Sequence, residues 1–272
     1  LCLNLLLLFV ISAKAEDVTI ITADRINSSI DKSSSDITII TNDDIKKNSA
    51  RTLPEILSHQ SDLNIATSGP TGSNASIFLR GTDSSHVLVV LDGVVLNDPS
   101  NPNRQFDIGK LSLNNIDKIE ILKGSQGLAY GSNAIGGVIV ITSKRAKTTQ
   151  WSGSQFADYG TFNTVNLGIN SQKKFDKSSI SLGADFMNTD GFSAADKKYN
   201  ANAEKDGAQR ITLDLGINSD ISENYSADLK LRYAHNKMDL DKGGGPAQDD
   251  LNYRQKEDEQ YSKIELTRNW EA

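Results

Sequence analysis

The residue types that do chemistry are present in this chain but are not gathered. Three histidines, His59, His86 and His235, stand far apart with no metal-ligand spacing between them. The one cysteine, Cys2, falls in an N-terminal apolar run, so no disulfide or thiolate metal site is available after it. The glycine-rich stretch 124–137 lacks the Gly-Lys-Ser/Thr of a phosphate loop, and no G-x-G-x-x-G follows a strand pattern. Asp92-Gly93 offers a carboxylate, yet it reads more simply as the turn that ends a buried strand. With no nucleophile beside a base, an enzyme is the weakest functional class. A formal net charge of −6 without a basic surface argues against a nucleic-acid partner.

Recognition chemistry is better represented. Two turn-rich segments, 67–74 with Gly69-Pro70 and 96–105 with Pro99 and Pro102, carry closely spaced amides and hydroxyls. Such groups hydrogen-bond a large polar ligand well, although ordinary solvated loops share the composition. Asp196, Glu204 and Asp206 lie in a third polar segment and offer the oxygen ligands calcium prefers; acids in loops are also commonly just solvated.

These loops need a frame. Between 76 and 142 lie four aliphatic or β-branched runs, three ended and the fourth opened by a glycine that permits a turn. They are Phe78-Leu79-Arg80-Gly81, the segment from Val87 to Asp92-Gly93, Ile119-Glu120-Ile121-Leu122-Lys123-Gly124, and Gly136-Gly137-Val138-Ile139-Val140-Ile141. Ahead of them, 37–41 reads as a strand, with Asn42 or Asp43 capping a short helix. Thr52 caps a second helix with Pro54 and Glu55 in its first turn, and 63–66 is a further strand. Residues 37–145 therefore read as one α+β domain.

From 146 to 272 the texture changes to apolar residues every second position, as in Val165, Leu167, Ile169 and in Ile211, Leu213, Leu215, Ile217. About six antiparallel strands of this kind are expected. A soluble sandwich alternates too, but the expected links run short, short, long, short, long. That parity suits a membrane barrel with short turns on one side and longer loops on the other. Tyr225 and Tyr233, at the ends of one apolar face, suit its interfacial girdles. An open six-stranded sheet leaves edges the bilayer does not tolerate, so a fragment cut at both ends, holding the first strands of an incomplete barrel, is expected.

The N-terminal residues 1–15 read as a signal peptide, an apolar core followed by small residues three apart, without an initiator Met or basic n-region. Residues 16–36 follow as a β-prone segment, Asp17-Val18-Thr19-Ile20-Ile21-Thr22-Ala23, on a Ser/Asp/Asn-rich leash. It is either an ordinary first strand or a donor for strand addition to a partner's sheet edge.

The ordered set Phe-Leu-Arg-Gly, Val87 to Asp98, Ile-Glu-Ile-Leu-Lys-Gly and Tyr130 to Thr142 resembles the plug domain of TonB-dependent outer-membrane receptors, and in particular their cobalamin transporters. The resemblance implies an α+β plug followed by antiparallel strands of a truncated transmembrane β-barrel, which in this family closes with about 22 strands. It implies that 17–23 are the TonB box, and that Arg80, Glu120 and Lys123 face the barrel wall and latch the plug there. It implies ligand contact through Ser68, Thr71, Ser73 and Asn74 on one plug loop, and Asn97, Asp98, Asn101, Asn103 and Arg104 on the other. Asp196, Glu204 and Asp206 stand where a calcium-binding loop is implied, and no cofactor is required. The expected partners are TonB, outer-membrane lipid, and a ligand that is either cobalamin or an iron chelate such as a siderophore or heme. A secreted β-rich surface binding or adhesion protein is the alternative from another class.

Overall fold

The computed structural model describes residues 19–21, 27–29, 36–99, 102–193, 205–240 and 254–270. The signal segment 1–15, four residues of the β-prone segment (Asp17, Val18, Thr22 and Ala23), Asn101, Asp196 and Glu204 lie outside the described residues.

Two short strands open the chain, β1 (Thr19–Ile21) and β2 (Asn27–Ser29), paired antiparallel with Ile20 opposite Ser28. The α+β unit then runs β3 (Asp36–Thr41), α1 (Asn42–Lys47), α2 (Leu53–Leu57), β4 (Leu63–Thr67), β5 (Ala75–Leu79), β6 (Val87–Leu91), β7 (Val94–Val95), β8 (Ile116–Lys123), α3 (Gly127–Tyr130) and β9 (Gly137–Ser143). Its main sheet has the order β3-β8-β9-β6-β7, antiparallel except for the parallel pair β6 and β9, while β4 and β5 form a separate hairpin.

Alternation along the strands supplies both faces of this sheet with apolar side chains. Val87, Val89 and Leu91 of β6 join Ile119 and Ile121 of β8, Ile139 and Ile141 of β9, and Leu53, Ile56 and Leu57 of α2 in one core. Leu88, Val90, Leu122, Val138 and Val140 form a second core on the opposite face. The cap of α1 differs from the sequence expectation. Thr41, still in an extended conformation, is the N-cap: its Oγ1 accepts from Asp44 N at 3.2 Å, and Asp44 Oδ2 accepts from Thr41 N at 2.9 Å. A carboxylate three residues after a threonine completes this reciprocal box, which neither Asn42 nor Asp43 can do. Thr52 caps α2 as expected, with Glu55 accepting from its backbone N at 3.2 Å.

The second unit is a meander of β10 (Ser152–Gly160), β11 (Thr164–Lys174), β12 (Ser178–Thr189), β13 (Ala208–Ser222), β14 (Tyr225–Asp239) and β15 (Arg254–Arg268), each paired antiparallel with the next. The longer links, 190–207 and 240–253, leave from the same end of the sheet, after β12 and β14. Burial separates barrel from sandwich. The face that packs on the α+β unit is largely polar, with Ser181, Asp185, Arg210, Thr212, Lys230 and Asn236 buried, whereas Leu167, Ile169, Leu182, Leu213 and Leu231 of the other face are exposed. A soluble sandwich buries its apolar face; a barrel wall presents it to lipid. Tyr225 and Tyr233 are both exposed on that face. Eight residues at ~3.4 Å each, tilted about 40°, put them roughly 20 Å apart across the membrane, close to the height of a barrel's apolar band.

Ile139 is fully buried at the centre of the main sheet, between β6 and β8. Ile139→Ala is expected to destabilise the chain by about 2–5 kcal/mol, read as a lowered denaturant midpoint at unchanged slope.

Candidate functional site

The α+β unit lies against the polar face of the strand wall, and its two turn-rich loops are joined at their base by one carboxylate. Asp107 Oδ1 accepts from Ala75 N at 2.7 Å, closing the loop that precedes β5, and from Gly109 N at 3.0 Å. Gly109 has no room for a side chain, because a Cβ there would meet the Ser73 carbonyl. Burial holds the Asp107 carboxyl above the usual carboxylate range, against the hydrogen bonds and the nearby Lys110 that favour its charge.

Lys110 carries this junction to the wall. Its ammonium pairs with Glu257, lies 3.7 Å from Glu259 on the same strand, and is 3.8 Å from Asp107. Burial works against its charge, but the hydrogen bond it donates to Glu257 and the other two carboxylates together raise its pKa above the ordinary lysine value.

Further ties run along the whole wall. The Arg51 guanidinium stacks 4.0 Å over the Phe156 ring and forks onto Asp158, both on β10. Asn114 donates to the carbonyls of Ile169 and Ala184, each at 3.0 Å, bridging β11 and β12. Arg210 of β13 donates to the Gly109 carbonyl at 3.1 Å, and Lys230 of β14 to Ser143 Oγ at 3.1 Å. Arg145 pairs with Asp228 at 2.8 Å, and Tyr261 donates to the Leu91 carbonyl at 2.7 Å.

The expected latch residues do not make these ties. Arg80 pairs with Asp36, and Lys123 with Asp62 and, at 3.4 Å, Asp36, all inside the α+β unit. Glu120 is fully buried beside Lys118 at 3.1 Å. Residues 80 and 123 stand at the ends of β5 and β8, where the acids at the start of β3 and before β4 reach them first. Arg51, Lys110 and Arg145 face the wall instead; they lie outside the strands, Lys110 in a single 3-10 turn, and carry no strand periodicity to mark them in the sequence.

Of the first loop, Ser68 and Thr71 are exposed, Asn74 is half-buried and Ser73 is buried. The Asn74 carbonyl accepts from Ser68 N at 2.9 Å and pins the loop's neck. Gly72, at φ +94°, forms its tip; a Cβ there would come within 2.7 Å of Ala208 and 2.8 Å of Met187. Those residues flank the 190–207 link, so the loop reaches the end of the wall that bears the longer links. In the second loop Asp98, Asn103 and Arg104 are exposed. Asn97 is directed inward: its Oδ1 accepts from Val89 N at 2.8 Å, and its Nδ2 donates to the Val87 and Arg104 carbonyls. With both ends of its amide bonded to the backbone, Asn97 shapes the loop. Asp206 is buried close to Phe192 through its backbone, and among the described residues no group of three or more His, Cys, Asp or Glu converges on a metal-sized site.

Residues 29–138 match the family model of the TonB-dependent Receptor Plug Domain. The vitamin B12 transporter BtuB of Vibrio cholerae is 28% identical over 241 residues, covering 86% of this chain and 38% of that protein. Among solved structures, the alcaligin outer-membrane receptor FauA of Bordetella pertussis aligns over 93% of this chain and 39% of its own, with a TM-score of 0.70 and 18% identity. The ferripyoverdine receptor of the outer membrane of Pseudomonas aeruginosa aligns over 81% of this chain and 28% of its own, with a TM-score of 0.66 and 14% identity. The chain thus spans about two fifths of the length of the transporter it matches.

Where the plug runs into the wall, Lys144 N donates to the Asn115 carbonyl and Lys144 Nζ to the Asn114 carbonyl at 2.8 Å. Burial, aided by Lys46, lowers its pKa from 10.5 to about 8. Between those values the unfolded chain holds a proton that the folded chain has released, so stability rises with pH across that window. Denaturant midpoints measured from neutral pH to above 10 are expected to climb in the wild type and to lose that climb in Lys144→Met.

Proposed function

We propose that this chain, whose residues 29–138 are the plug domain of a TonB-dependent receptor, forms the gated entrance of a nutrient importer in the outer membrane. The observation that carries the reading is the plug seated on the polar face of a strand wall whose opposite face is apolar. Such a wall suits a bilayer, and a folded domain across its lumen is a stopper that has to yield before a large solute can pass.

In this reading the ligand meets the plug at its two loops, through Ser68, Thr71 and Asn74 on one and Asp98, Asn103 and Arg104 on the other. Asp107 and Lys110 connect those loops to the wall. The ligand is a large polar nutrient. Similarity to a vitamin B12 transporter over most of the chain favours cobalamin, and the fold shared with siderophore receptors keeps an iron chelate as the second reading. Titrating the full-length receptor with cobalamin and with ferric siderophores decides between them; tight binding of neither would sink the transport reading.

The partner in the periplasm is TonB, recruited by strand addition to the segment containing β1. Force on that segment drives an order-to-disorder change in the plug. Ile20→Pro removes a backbone donor from β1 and is expected to abolish uptake while leaving ligand affinity unchanged. Uptake that survives the substitution would show that this segment is not the TonB contact.

A further inference from the structure

We propose that the lipid-facing side of β10–β15 holds one phosphate-bearing membrane lipid, its acyl chain in an apolar groove and its headgroup on a polar row above. The inference rests on the outer-membrane reading of the wall and adds a discrete site to it. The groove has a volume of about 640 Å³ and runs across β10–β13. The small residues Ala157 and Ala184 form a recess between Leu167, Phe186 and Ile211, all pointing away from the plug.

Strand register fixes what stands above it. Ala184, Leu213 and Tyr233 are aligned across β12, β13 and β14; the next row on the same face is Phe186, Ile211 and His235, and the next is Asn188, Gln209 and Lys237. Two residues advance about 7 Å along a strand, so the apolar face gives way to amide and ammonium groups within one step, at headgroup depth. Lys256 of β15 continues the row opposite Lys237. A second cavity of about 330 Å³ opens at this level, lined by Asn188, Gln209 and Lys237 with Asp190, Lys205 and Asp239.

Charge bookkeeping at the row favours an anion. Asp190 is already engaged by Asn163 at 2.8 Å and Lys205 at 3.2 Å, and Asp239 by Arg254 at 2.7 Å. Lys237 and Lys256 have no acidic partner among the described residues, and the Asn188 and Gln209 amides no hydrogen-bond partner. Two ammoniums and two amides beside an apolar groove complement a phosphate ester tethered to an acyl chain, whereas an uncharged lipid leaves the ammoniums unmatched.

The test uses the full-length receptor in a neutral detergent, with bound lipid counted by native mass spectrometry. Phosphatidic acid is expected to bind one per protein and at least tenfold more tightly than diacylglycerol. Lys237→Ala with Lys256→Ala should erase that preference while leaving diacylglycerol binding unchanged; Ala184→Trp, which fills the recess, should weaken both lipids. Equal binding of the two lipids, an unaffected double variant, or displacement of the lipid by millimolar inorganic phosphate would overturn the site. Fractionation separates the levels: a receptor absent from the outer membrane defeats the wall reading itself, while a receptor present there without the phosphate preference defeats this inference alone.

Discussion

A strand wall that is apolar toward lipid and polar toward its lumen has to bury polar side chains, and each needs a partner. Here the plug supplies many of those partners. The Arg210 guanidinium finds the Gly109 carbonyl, the Lys230 ammonium finds Ser143, and Asn170 is held by the Asn114 backbone and amide. Leaving such groups unpaired inside a protein costs about 1–3 kcal/mol apiece, and more for the charged ones. The requirement gives the plug a largely polar surface where it meets the wall and sets its position there.

Apart from a small cluster of Met187, Ala208 and Met238 in the wall, the apolar cores lie elsewhere. Both are built from the plug's own strands and helices, with Tyr261 the wall's only contribution to either among the described residues. The plug is therefore cohesive within itself and joined to the wall by hydrogen bonds and ion pairs. A seam of this kind can open without breaking a hydrophobic core, as the proposed gate requires. The connection from Ala75 and Gly109 through Asp107 to Lys110 and the Glu257–Glu259 strand is contiguous, so a change at the loops has a physical route to the wall.

Local pattern accounts for much of this. Glycine-bounded aliphatic runs marked β5, β6, β8 and β9, Thr52 with Glu55 marked the start of α2, and the period of two with its short and long links marked six wall strands. These features depend on near neighbours: a turn's φ, a cap's hydrogen bonds, a strand's alternation. The α1 cap shows the limit even there, since Thr41, Asn42 and Asp43 are all able caps and the reciprocal partner Asp44 decides among them.

What only the tertiary structure decided is which charges and amides face each other. Arg80 and Lys123 carry the motif that suggested a latch, yet acids within the plug reach them first; Arg51, Lys110 and Arg145 hold the wall instead, from partners more than eighty residues away. Asn97, grouped by composition with exposed loop residues, turns inward to the β6 backbone. Sandwich and barrel share one alternating pattern, and only burial shows which face is covered. The sequence of this protein determines its strands and turns because those are short-range; it leaves open the lumen, the latch and the loop surface because those exist only once distant segments are packed together.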